Sequence, residues 1–154
     1  MCLALYIASD HPLPVVQQRE IPKDAIHSPT WPSEAQRFYT AILTPEEEVV
    51  RSHFSHTYVL YAGSYEGCSC GFNFGREYPE HETDEDDLTA ARESVAELVR
   101  YVRESKVQEI YSCWFDDEAR TTVHQHTITP ETLAAPGFIF EKQELLKIDH
   151  GERH

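Results

Sequence analysis

The sequence predicts a single α+β domain over residues 1–148, with a frayed tail over 149–154. Its expected architecture is a mostly antiparallel sheet of five to seven strands carrying two main helices. Three observations predict it. Apolar runs at 2–9, 57–63 and 108–115 have the length and the turn-forming flanks of strands. Two other stretches open with the chemistry of a helix start. The 154 residues fit one domain, long enough to bury a core without help from a metal or a disulfide.

Cys2-Leu3-Ala4-Leu5-Tyr6-Ile7-Ala8-Ser9 is almost wholly apolar and reads as a strand buried on both faces. Asp10-His11-Pro12 ends it. Val15 to Pro32, with prolines at 22, 29 and 32, reads as a long connection. Arg37 to Leu43 reads as a second strand. Thr44-Pro45-Glu46-Glu47 then has an N-cap, a proline at the first helical position and a glutamate three residues after the cap, predicting a helix to about Phe54. Thr57 to Gly63 is the next strand. Gly67, Gly71 and Gly75 punctuate the stretch from Ser64 to Gly75, and Phe72 and Phe74 alternate as in a short strand.

Glu77 to Asp87 holds seven carboxylates. The spacing lacks the alternating ligands and central glycine of a calcium loop. It suits a helix N-terminus instead, with Thr83 as cap and the acids at the positive end of the dipole. Leu88, Ala91, Val95, Leu98 and Val102 mark the apolar face of that helix, which runs to about Glu104. Gln108 to Phe115 is a strand, and Asp116-Asp117 a turn. Thr121 to Ile128 reads as an exposed strand with His124 and His126 on one side. Thr129-Pro130 opens a single helical turn, and Phe138 to Ile148 supplies the last strand.

Thirteen Lys and Arg stand against 27 Asp and Glu, a formal net charge of −14. That balance repels phosphate backbones, so no nucleic-acid partner is expected. It leaves room for a basic protein partner on an acidic face. No secretory signal or membrane-length apolar run is read, so the expected setting is cytoplasmic, with no membrane partner and with thiols kept reduced.

Four cysteines carry the functional reading. Cys2 opens the first strand, Cys68 and Cys70 form a Cys-x-Cys pair between Gly67 and Gly71, and Cys113 lies near the end of the 108–115 strand. If strand 2–9 lies between 57–63 and 108–115, antiparallel to both, all four fall at one sheet edge. Four thiolates suit zinc or an iron–sulfur cluster, in a structural or electron-transfer role. Cys68, Cys70, Cys113 and Cys2 are therefore the candidate metal ligands, with His124 and His126 as alternates because a His-x-His pair on one side of a strand can chelate. No Cys-x₂-Cys knuckle is present.

Two further readings stand beside this one. The first is a metal-free thiol redox enzyme or sensor at Cys68 and Cys70, whose one-residue spacer would make a strained, labile disulfide. No Lys, Arg or His lies within two residues of the pair to activate it. The second is an acidic interaction module with inert cysteines. Cys2 follows Met1, a placement that resembles the N-terminal nucleophile of amidotransferases. The resemblance covers that one residue, and Leu3-Ala4 stands where those enzymes usually have Gly-Ile. Tyr58, Tyr61 and Tyr65, with Trp114 and Phe115, are candidates to line a pocket beside the thiols. No serine nucleophile elbow, phosphate-cradling glycine loop or zinc-protease helix is present.

Overall fold

The computed structural model describes residues 2–19, 35–74, 76 and 85–151. Strand β1 (Leu3–Ser9) is buried along its whole length. Strand alternation sends Leu3, Leu5 and Ile7 into one core and Ala4, Tyr6 and Ala8 into another on the opposite face. A strand apolar at nearly every position can satisfy both faces only at the centre of a covered sheet. Accordingly β1 lies between β3 (Tyr58–Ser64) and β4 (Glu109–Trp114), antiparallel to both. β2 (Phe38–Ala41) pairs outside β3, and β6 (Glu144–Ile148) outside β4. β5 (His124–Ile128) closes the order β2-β3-β1-β4-β6-β5 and runs parallel to β6. The fold is thus α+β, with a six-stranded, mostly antiparallel sheet and two main helices.

Helix α1 (Glu85–Glu104) covers the Leu3–Leu5–Ile7 face with Val95, Leu98, Val99 and Val102. Glu85, Asp86 and Asp87 occupy its first turn, where the helix dipole favours negative charge. The expected cap Thr83 lies outside the described residues, as do 20–34 of the long connection. Glu47–His53 covers the other face, with Val50 fully buried. The Thr44–Glu47 capping box forms: each backbone amide is reached by the other's side chain, at 2.9 and 3.3 Å. The helix it starts is 3₁₀ rather than α. Seven residues with adjacent β-branched Val49 and Val50 and one buried side chain offer little packing to propagate an α-helix.

Two expected strands are corrected. Phe72 and Phe74 do not alternate along a strand; Ser69–Phe72 is a 3₁₀ turn that buries Phe72 and leaves Phe74 exposed. The last strand begins at Glu144, not Phe138, because the backbone of Phe140 is already taken. The Asn73 side chain donates to its carbonyl at 3.0 Å and accepts from its amide at 2.9 Å. Gln143, at φ 55°, then turns the chain into β6. The single turn after Thr129 is a 3₁₀ helix, Pro130–Ala134. Beyond β6, the Asp149 amide donates to Ile128 and the His150 ring reaches the Val107 carbonyl. Residues 152–154 lie outside the described chain. Among the described residues no helix is long and apolar enough to cross a membrane.

Gly63 ties the β2–β3 edge to the turn after β3. It pairs with Tyr39, whose ring fills the space that a Cβ on Gly63 would need, at 2.1 Å. The Tyr39 hydroxyl continues past the strand and donates to the Gly67 carbonyl at 2.6 Å. Gly63→Ala is therefore expected to destabilise the protein by about 1–3 kcal/mol through overpacking, read as a lower urea midpoint at unchanged slope.

Candidate metal centre

β1 and β3 stop pairing at Leu5 and Ala62, and the Cys-Ser-Cys segment fills the gap beyond. The fully buried Ser69 hydroxyl sits between the two strands. It accepts from the Leu5 amide at 2.9 Å and donates to the Ala62 carbonyl at 2.7 Å, replacing a ladder bond with a side-chain bridge. One step outward, the Leu3 amide donates to Cys70 Sγ at 3.2 Å. The edge of β1 is thus satisfied by a hydroxyl and then by a sulfur.

Short-range bonds shape this segment. Gly67, at φ 81°, makes the turn, and its amide donates to the Ser64 carbonyl at 3.1 Å. The Cys68 carbonyl accepts from both the amide and the hydroxyl of Ser64, at 2.8 and 2.6 Å. The same hydroxyl accepts from the Gly71 amide at 3.0 Å. A Cβ on Gly71 would meet that oxygen at 2.3 Å, so the close approach needs glycine. Arg76 then clamps the far side, donating to the carbonyls of Phe72 and Leu133. Its guanidinium also lies over the Phe138 ring at 5.5 Å.

The outcome is a cluster of three thiols. Cys2, Cys68 and Cys70 each place a sulfur within 4.8 Å of the others. Cys2 is exposed, and Cys68 and Cys70 are half-buried. Cys113, also expected here, is placed elsewhere. It pairs across from Ala4, and alternation turns it into the core that holds Tyr6, on the face opposite Leu3. Burial pushes its thiol up to about 12, with Glu118 and Asp117 adding to the effect, which makes it an inert core residue. His124 and His126 stand on the edge strand β5, three strands from β1, and do not join the three thiols.

Within the cluster the protons are unequally held. The Cys70 pKa is lowered, first by the Cys68 thiol donating to it; burial opposes this, and the Leu3 amide and the Cys2 thiol add to the lowering. Cys68, donating to Cys70 and half-buried, is raised. Activation therefore comes first from the donor within the pair, then from the Leu3 amide and the Cys2 thiol, with the charge of the chain's N-terminus adding to it. Apart from Cys68, these groups lie far off in sequence, Leu3 by 67 residues, so the absence of Lys, Arg and His beside Cys68 and Cys70 in the sequence hides their effect.

Of the aromatic residues expected to line a pocket beside the thiols, Tyr61 and Phe115 line a cleft of about 620 Å³ together with Tyr39 and Gly67, but Cys2, Cys68, Cys70 and Cys113 do not line it and Trp114 does not either. Glu46, Glu47 and Glu118 edge it. The Tyr6 hydroxyl lies under two of these acids, 2.8 Å from Glu47 and 3.0 Å from Glu118. Tyr58 is exposed, and Tyr65 packs against Ala90 and Ala91 of α1. Neither lines this cleft. No protein-family model, curated protein or solved structure matches the chain.

Two outcomes test this geometry. Ser69→Ala leaves the Leu5 amide and the Ala62 carbonyl unpaired and should cost about 1–3 kcal/mol in chemical denaturation. In metal-free protein, the lowered pKa keeps Cys70 as thiolate at neutral pH, where an ordinary thiol is mostly protonated. Iodoacetamide should therefore label Cys70 first, at a rate that holds from pH 9 to pH 7 and falls on further acidification. Peptide mapping checks both the order and the pH profile, and Cys113 should stay unlabelled until unfolding.

Proposed function

We propose that Cys2, Cys68 and Cys70 bind one thiophilic metal ion, zinc in the first instance, and that the ion joins the start of β1 to the segment after β3. The closeness of the three sulfurs carries this reading. Thiolates on a tetrahedral zinc stand about 3.8 Å apart, given bonds of about 2.3 Å, so little movement brings these three onto one ion. An iron–sulfur cluster spreads its thiolates over separate irons and needs a wider frame, which makes a mononuclear ion the better fit. The Leu3 amide already points at Cys70 Sγ, the type of outer bond that orients a ligand and spreads its charge. The cluster supplies three donors, and the fourth position falls to solvent or to an incoming ligand on the exposed Cys2 side. Zinc has no redox chemistry of its own, so with zinc the role is structural or Lewis-acidic rather than electron transfer.

A second reading has its own support. Without metal, the lowered pKa of Cys70 and two neighbouring thiols suit thiol–disulfide exchange, with Cys2 as the exposed partner.

Elemental analysis of protein purified without a metal-affinity tag tests the first reading. One equivalent of zinc beyond what the Cys68→Ser and Cys70→Ser proteins carry is expected, and it is kept in Cys113→Ser. A chelator should lower the melting temperature of the wild type by more than that of those two variants. Metal-free wild-type protein that takes up no more added zinc than Cys68→Ser would overturn the thiol-site reading and leave exchange chemistry. A broad visible band with iron and sulfide would replace zinc by a cluster.

A further inference from the structure

His124 and His126 are alternate residues on β5 and share one face of the sheet with Ile128. Their rings stack in register, 6.4 Å between centroids and 14° from parallel. β5 runs parallel to β6, and the register sets His124 directly beside Glu144 and His126 beside Leu146. Leu146 and Ile148 point into the core under α1, so Glu144, two residues earlier, points to the same face as the two histidines. Three metal-ligating side chains therefore share one face at one corner of the sheet, a parallel pairing bringing together residues twenty positions apart.

Glu144 is out of place as a structural residue. It is only 6% exposed, yet its Oε1 has no hydrogen-bond partner among the described residues. Its Oε2 lies 3.7 Å from His126 Nε2, too far for a good hydrogen bond. Burial raises its pKa, opposed by the Glu141 backbone and by His126 and His124. A buried carboxylate with a free oxygen costs stability unless a cation or proton answers it. No Lys or Arg forms an ion pair with it among the described residues. Other histidines are engaged: His11 contacts the Ser105 carbonyl, His53 the Glu118 carbonyl and His150 the Val107 carbonyl. Among the described residues neither imidazole on β5 is held by such a bond, and both are exposed.

We propose that His124, His126 and Glu144 form a second, separate site for a first-row divalent cation. Its donor set is two imidazole nitrogens and one carboxylate oxygen, with the remaining positions open to solvent. Such N₂O sets suit borderline ions, unlike the all-sulfur cluster at Cys2, Cys68 and Cys70. A zinc ion with nitrogen and oxygen ligands at about 2.1 Å would hold them about 3.4 Å apart, close to the separation of His126 and Glu144. The two ring centroids stand 6.4 Å apart, wider than the ligands of one ion, so binding requires both exposed side chains to rotate inward. The sites lie on different strands of one sheet end: Leu3 is paired to Trp114, and Ser112 to Glu144. They do not share a ligand.

Calorimetric titration with Zn²⁺, with imidazole NMR as a second readout, tests the proposal. In a Cys2→Ser, Cys68→Ser, Cys70→Ser protein, one equivalent of Zn²⁺ should still bind and shift the His124 and His126 signals. Loss of an outer-shell partner commonly weakens metal sites 10–100-fold, so loss of a direct ligand should do at least that. Each of His124→Ala and His126→Ala should reach this mark, and the double variant should abolish binding at this corner. Glu144→Gln keeps the shape while removing the charge, and it should also weaken binding at least tenfold. If the triple-serine protein proves unstable, the wild type serves: two equivalents should bind, one of them lost in the His124→Ala, His126→Ala protein. Zinc uptake unchanged in that double variant would overturn this site and leave the thiol site standing. Uptake lost in the histidine variants alone would do the reverse.

Discussion

The Ser69 hydroxyl between Leu5 and Ala62 is the bond on which the thiol cluster depends. Two strands that separate would expose an amide and a carbonyl to a dry interior, an expense comparable to a lost hydrogen bond at each group. A single hydroxyl, donor and acceptor at once, serves both. Because Ser69 is fixed there, Cys68 and Cys70 are fixed on either side of it, and Cys70 meets the next free amide of β1. The three thiols owe their proximity to a backbone problem solved by a serine. Ser64 and Gly71 complete the same solution, as the Ser64 hydroxyl holds the Cys68 carbonyl and the Gly71 amide in one small space.

Two different chemistries then share one end of one sheet. Around Cys70 the donors are soft and the protons are held in sulfur–hydrogen–sulfur contacts. Around Glu144 the donors are nitrogen and oxygen, and the carboxylate carries the burial penalty. The strand order makes this possible, because β1 and β6 both begin where β3 and β4 end. Antiparallel pairing alternates strand starts and ends along such an edge, and the parallel β5 adds a further start beside β6.

Much of the fold was legible in the residues. The unbroken apolar run of β1 announced a central strand, and its antiparallel place between β3 and β4 matches the expected order. Thr44 and Glu47 formed their reciprocal cap, and Glu85, Asp86 and Asp87 occupy the first turn of α1. The convergence of Cys2 with Cys68 and Cys70 was readable from strand order alone. Cys113 was not, because strand order gives the edge and register gives the face. A shift of one residue would have turned it towards Leu3. Glu144 escaped notice for a related reason: its meeting with His124 rests on a parallel pairing that no hairpin or turn signal records. The 3₁₀ character of Glu47–His53 and the Asn73–Phe140 clamp depend on tertiary contacts, which local propensity does not report.

The central place of β1 also governs how the chain reaches this structure. Its two neighbours come roughly fifty and roughly a hundred residues later, so both of its ladders close large loops before they return any binding energy. Until they close, a seven-residue strand with apolar side chains on both faces has no partner of its own. Such a segment is a template for pairing with another copy, and the same pattern that makes it the best-buried strand of the finished sheet makes it the most aggregation-exposed segment of the unfinished one.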